Sequence, residues 1–321
     1  MKKILLIICI LLTGNYVLCQ NTYGSADDEA RIVLNTYIPD QVEGISAVTK
    51  NSLANKLSQI ASQNGMGGAS YNPRFIITAN IVATTKNITP TVPPMHAYNL
   101  EVNLYIGDGI DGIMFASHSV NVRGVGDNET KAYLDAIKNI KTRDPQYQNF
   151  IENAKRKIIE YYNANCDLII SEAKALESMH EYNAALATLF RVPSVCKECY
   201  EKCMQLLGPI FDKKIDHDCQ VLLAQATNAW NSGQDFNAGQ RAIRFLAGID
   251  PQASCFPSAI ALSERIAKRI KEVDQREWNF LLKVQQDNVD ISKLRIRAMR
   301  DIGVAYGSNQ PRVIYNIRGW W

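Results

Sequence analysis

The rhythm of apolar and polar positions changes twice along the chain. An unbroken apolar run from Ile4 to Leu12 follows Lys2 and Lys3; it is too short to span a bilayer and suits the core of a secretory leader. From about residue 30 short strand-like stretches take over. Ile32, Val33, Leu34, Tyr37 and Ile38 form a β-rich run that stops at Pro39, residues 75 to 85 are dense in β-branched side chains, and Leu100, Val102, Leu104 and Ile106 alternate with Glu101, Asn103 and Tyr105. Alternation with a period of two marks half-buried strands. A further strand, residues 113 to 123, follows across a glycine-rich turn, so these last two strands are expected to form an antiparallel hairpin. Two helices punctuate the strands. Leu53, Leu57, Ile60 and Ala61 recur at helical spacing behind a capping Ser46, with Gly65, Gly67 and Gly68 after them; Tyr133, Leu134, Ile137 and Ile140 do so behind Asp127 or Asn128.

From Tyr147 the strand signal ceases and helical spacing runs as far as the tail. The expected fold class is α+β: a small antiparallel-rich α/β domain over residues 28–145, then an all-α helical repeat domain over 146–306, and a tail over 307–321. Ala173, Leu176, Tyr182, Ala185, Leu186 and Leu189 are spaced as in a tetratricopeptide repeat, and Trp230, Phe236, Gly239 and Ile243 repeat the pattern before Pro251. Tyr182 and Phe236 stand 54 positions apart, rather than the roughly 34 of a tandem array. A separate helix over about 196–207 and a linker are expected between the copies. Leu262, Ile266, Ile270, Val273 and Leu281 mark a long amphipathic helix, and Ile291, Leu294 and Ile302 a last one.

The order helix, three strands, glycine turn and helix, with the segment Phe115-Ala-Ser-His-Ser-Val-Asn-Val-Arg-Gly-Val-Gly-Asp-Asn-Glu-Thr-Lys-Ala-Tyr-Leu-Asp-Ala-Ile, resembles the α/β domain shared by curli-secretion lipoproteins, outer-membrane activators of penicillin-binding proteins and a flagellar assembly protein. The resemblance covers residues 30 to 140. It implies that fold for an envelope domain; protein partners of the cell envelope are expected from the helical hairpins that follow.

The leader ends at Val17-Leu18-Cys19. Cleavage after Cys19 is the expectation, because acylation of Cys19 needs a small residue where Leu18 stands; lipidation is the alternative. Removing residues 1–19, with Lys2 and Lys3, lowers the formal charge from +3 by two, to +1. A nearly neutral chain lacks the basic surface that nucleic acid requires. The expected location is therefore periplasmic or extracellular, with an association to the outer membrane open. The tail, with Arg312, Arg318, Trp320 and Trp321, is expected to dock as a strand that buries its tryptophans on the protein itself; the alternative is that Trp320 and Trp321 form a surface-binding element for lipid or glycan.

Six cysteines follow the leader: Cys166, Cys196, Cys199, Cys203, Cys219 and Cys255. In an exported chain disulfides among them are expected. Cys196 and Cys203 lie about 10.5 Å apart along a helix axis, so partners across helices are required. A zinc site needs Cys219 or His217 as a fourth ligand, and a redox site needs Cys196 at a helix start after a β-strand, whereas the element before Cys196 reads as helical. Gly107, Gly109 and Gly112 imitate a dinucleotide fingerprint, yet a strand follows where a helix is needed. Asp108 and Asp111 lack the remaining ligands of a calcium loop. Ser117 and His118 are neighbours in a strand and face opposite ways, so they form no nucleophile–base pair. No cofactor, metal or catalytic set is expected. The expected function is protein–protein interaction or scaffolding in the envelope, the alternative an exported thiol-redox or lipid/glycan-binding protein.

Overall fold

The structure, a computed structural model, describes residues 32–40, 45–68, 74–274, 298–299, 301–302 and 315–321. The expected leader (1–19), Leu281, Ile291, Leu294 and Arg312 lie outside the described residues. Among those described, four strands and eight helices make an α+β chain.

The sheet runs in the order β1 (Asn35–Thr36), β2 (Phe75–Ile88), β3 (His96–Asp108) and β4 (Ile113–Gly126). β1 lies parallel to β2, and the other pairings are antiparallel. The expected first strand over 32–38 contracts to two residues. Leu34 N–H donates to the Met66 carbonyl at 2.8 Å rather than to a strand, and Pro39 has no N–H to extend the ladder. The expected β3–β4 hairpin is present, pairing Asp108 with Ile113 and running out to His96 opposite Gly126.

One face of the sheet is roofed by helices α1 (Ala47–Gln63), α2 (Glu129–Lys138) and α3 (Pro145–Ala164). Ser46 caps α1 by accepting the Thr49 N–H at 3.3 Å, and Asn128 caps α2 by accepting the Lys131 N–H at 2.9 Å. Asp144 caps α3, whose first residue is Pro145, a position where the missing N–H costs nothing. Leu100, Val102, Leu104 and Ile106 point from β3 into a core shared with Leu53, Leu57, Ile60, Ala136 and Ile137. Each such large aliphatic removed from water contributes about 1.5–3 kcal/mol.

α3 also touches the second half, which consists of α4 (Cys166–Ser178), α5 (Tyr182–Phe190), α6 (Lys197–Asn231), α7 (Phe236–Leu246) and α8 (Phe256–Asp274). α4 packs on α5, α5 on α6, α6 on α7, and α8 on both α6 and α7. The turn between α4 and α5 places His180 at φ 63°. The separate helix expected over 196–207 is instead the first part of one 35-residue helix that passes through Pro209. A proline ends a helix only when the lost hydrogen bond and ring clash outweigh packing. Here Cys203, Leu207, Ile210, Phe211, Ile215 and Cys219 stay buried across the proline, so the apolar stripe carries the helix through.

Candidate functional site

The hairpin loop 109–112 is held by a buried ionic lock. Arg74, just ahead of β2, donates through Nη1 to Asp108 Oδ2 at 2.5 Å and to Asp111 Oδ2 at 2.6 Å. Asp108 Oδ1 accepts the backbone N–H groups of Ile110 at 2.9 Å and Asp111 at 3.0 Å, an Asx turn that bends the chain. The Asp108 side chain is fully buried. Burial pushes its carboxyl above the ordinary carboxylate range, and Arg74 and the Asp111 N–H oppose that push. Burial weighs against the Arg74 charge, but Tyr162, Asp108 and Asp111 outweigh it and raise the pKa. Asp108 and Asp111 are residues that a tight hairpin turn favours, and Asp108 serves the turn; their partner Arg74 sits 34 positions upstream of Asp108, without a local signal.

The three loop glycines form a socket. A side chain at Gly107 would enter the Trp320 ring, one at Gly109 the Tyr315 ring, and one at Gly112 the Asn316 backbone. Gly112 also sits at φ 74°, where only glycine rests without strain. Residues 315–321 fill this socket. Asn316 N–H donates to the Gly109 carbonyl at 2.6 Å, and Trp320 Nε1–H to the Gly112 carbonyl at 3.0 Å. Trp320, Ile317, Ile76 and Tyr105 form a second small core on the sheet face away from the helices, with Tyr37 and Tyr315 against it. Residues 312–314 of the expected strand lie outside the described residues; among those described, the tail makes a turn at Arg318 and Gly319. Trp320 is buried, whereas Trp321 is 46% exposed and tilts against Tyr105 with ring centroids 5.7 Å apart. Of the two tryptophans singled out for surface binding, Trp321 is the one that reaches solvent.

The cysteines lie across helices. Cys166 at the start of α4 stands at disulfide distance from Cys199 on α6, and Cys219 on α6 from Cys255 just before α8; the paired Cα atoms are 5.5 and 6.1 Å apart. Such pairs suit an exported protein. Cys196 and Cys203 are unpaired and fully buried, and burial pushes both thiols up to about 11. Cys196 is the residue before α6 rather than part of its face. Neither proposed fourth zinc ligand is at hand: Cys219 is bonded to Cys255, and His217, fourteen residues along the same helix from Cys203, stacks on His180 at 5.0 Å.

The remaining chemistry is absorbed by packing. His118 points under α3, its ring 5.7 Å from both Tyr147 and Phe150. His96 contacts the Tyr98 hydroxyl through Nδ1 at 3.1 Å. Asn183, Asn228 and Asn237 are exposed on α5, α6 and α7. No described helix is long and apolar enough to cross a membrane. No family model, curated protein or solved structure matches the chain.

Proposed function

We propose that the chain is an exported interaction protein of the cell envelope, without catalytic activity, whose helical half presents a rigid surface to a protein partner. The observation that carries this reading is the successive stacking of α4–α5 and α6–α7 around one long helix tied at Cys199 and Cys219. Stacked helix pairs are surfaces that bind with little loss of order on association. Small residues support a tetratricopeptide-like reading of the pairs: Ala173, Ala185, Ala238 and Gly239 are buried where helices meet. In the same reading residues 28–145 are an anchoring α/β domain and 307–321 its docked tail.

A thiol-redox enzyme would work through Cys196 and Cys199; Cys199 is bonded to Cys166 and Cys196 is buried with its thiol pushed up to about 11, which weighs against a nucleophile that must be exposed and acidic. The test is affinity capture from envelope extracts with the tagged mature chain, alongside an N183A/N228A/N237A variant of the same thermal stability. A defined protein partner held by the parent chain and lost by the variant is expected. Recovery of a free monomer with no partner would overturn the reading.

A further inference from the structure

The Sγ atoms of Cys166, Cys199 and Cys203 all lie within 4.8 Å of one another. Cys166 is bonded to Cys199, and Cys203 is a thiol. Cys199 and Cys203 are four residues apart on α6 and share its buried face. We propose that the staple between α4 and α6 has two alternative bonds, Cys166–Cys199 and Cys166–Cys203, interchanged by attack of the Cys203 thiolate on Cys166 Sγ.

The step needs no outside oxidant. Local opening of the α4–α6 contact admits hydroxide to the buried Cys203; the thiol gives up its proton, the Cys166–Cys199 bond breaks as Cys166–Cys203 forms, and the departing Cys199 thiolate takes up a proton. The direction of attack follows from helix geometry. Residues four apart in a helix hold their Cβ atoms about 5–6 Å apart, whereas a disulfide needs about 3.5–4.5 Å. Cys203 therefore cannot bond Cys199 without unwinding α6, and the sulfur across the interface, Cys166, is the one attacked. Burial pushes the Cys203 thiol up to about 11, and Arg191 works against that push. Exchange is slow near neutrality and accelerates roughly tenfold per pH unit below that value. Each exchange moves the attachment point of α4 four residues along α6, from Cys199 to Cys203, between sulfurs that already lie within 4.8 Å of one another.

The full oxidised chain, held at about pH 7 and about pH 9.5, is quenched with acid, alkylated and mapped by mass spectrometry. Peptides with alkylated Cys199 and a Cys166–Cys203 bond are expected, faster at the higher pH, and absent from C203S. A C199S chain matured in a glutathione redox buffer is expected to carry Cys166–Cys203 at rest. Two results overturn the proposal. One is alkylation confined to Cys196 and Cys203 after prolonged alkaline incubation of the parent. The other is a C199S chain with Cys166 and Cys203 both reduced while Cys219–Cys255 is oxidised, the second bond reporting that the chain folded and the buffer was oxidising.

Discussion

Replacing Arg74 by methionine removes the cation from a carboxylate that has no route to water. The Arg74 side chain is 9% exposed, that of Asp108 0%, and that of Asp111 36%. Breaking a buried pair from one side costs about 3–5 kcal/mol, because the remaining charge is stranded. Asp111 turns to solvent and recovers hydration; Asp108 keeps only its two backbone donors, so the cost rests on Asp108. The Asp108 pKa already lies above its ordinary value, and loss of Arg74 takes it higher. With the folded pKa above the unfolded one, the folded state holds the proton more tightly. The stabilisation from protonating Asp108 is thus full below the ordinary carboxylate pKa and lost as pH rises through the folded value. The R74M penalty is therefore expected to be largest at neutral pH and to shrink as the buffer is acidified towards the carboxylate range. Adding D108N, whose amide oxygen still accepts the Ile110 and Asp111 N–H groups, is expected to restore most of the loss, since removing both partners strands no charge. Urea unfolding followed by circular dichroism, at neutral and mildly acidic pH, measures the cycle. A loss under about 1 kcal/mol for R74M at neutral pH, or a double variant no more stable than R74M, would refute the reasoning.

Gly124→Ala is expected to cost about 1–3 kcal/mol in the same assay, because its Cβ would enter the Ala132 carbonyl and the Ala136 backbone where α2 lies on β4. Trp320→Ala empties the socket and gives up about 3 kcal/mol of docking; faster proteolytic release of residues 315–321 at unchanged helical content is the expected signature. Replacing both Cys219 and Cys255 by serine frees a 36-residue separation and is expected to lower stability by about 4 kcal/mol through loop entropy. Thermal unfolding of parent and variant should differ without reductant and converge once reductant opens this bond in the parent.

Much of the architecture was readable where one face of an element is buried. The alternation in β3 and the spacing of Leu53, Leu57 and Ile60 each encode which side meets the core, and the observed strands and helices follow them. Caps were equally legible, since Ser46 and Asn128 announce a helix start within four residues. What sequence hid depends on partners far along the chain. Pro209 argues locally for a break, and only the neighbours α5, α7 and α8 decide otherwise. Gly107, Gly109 and Gly112 look like a turn, and their further use appears only when Tyr315, Asn316 and Trp320 arrive. Which cysteines pair was open from spacing alone; the requirement for partners across helices is met by Cys166–Cys199 and Cys219–Cys255.

The socket has a consequence for the order in which the molecule is made. Trp320 and Gly112 are separated by 208 positions, so the hairpin emerges early in synthesis with its aromatic partner still to come. Closing so long a loop is slow relative to pairing β3 with β4, whose ends are adjacent. Ile76 and Tyr105 therefore stay wet until the helices between have been built and the distant segment folds back. A chain interrupted within its helical half would carry that apolar patch without Trp320 over it.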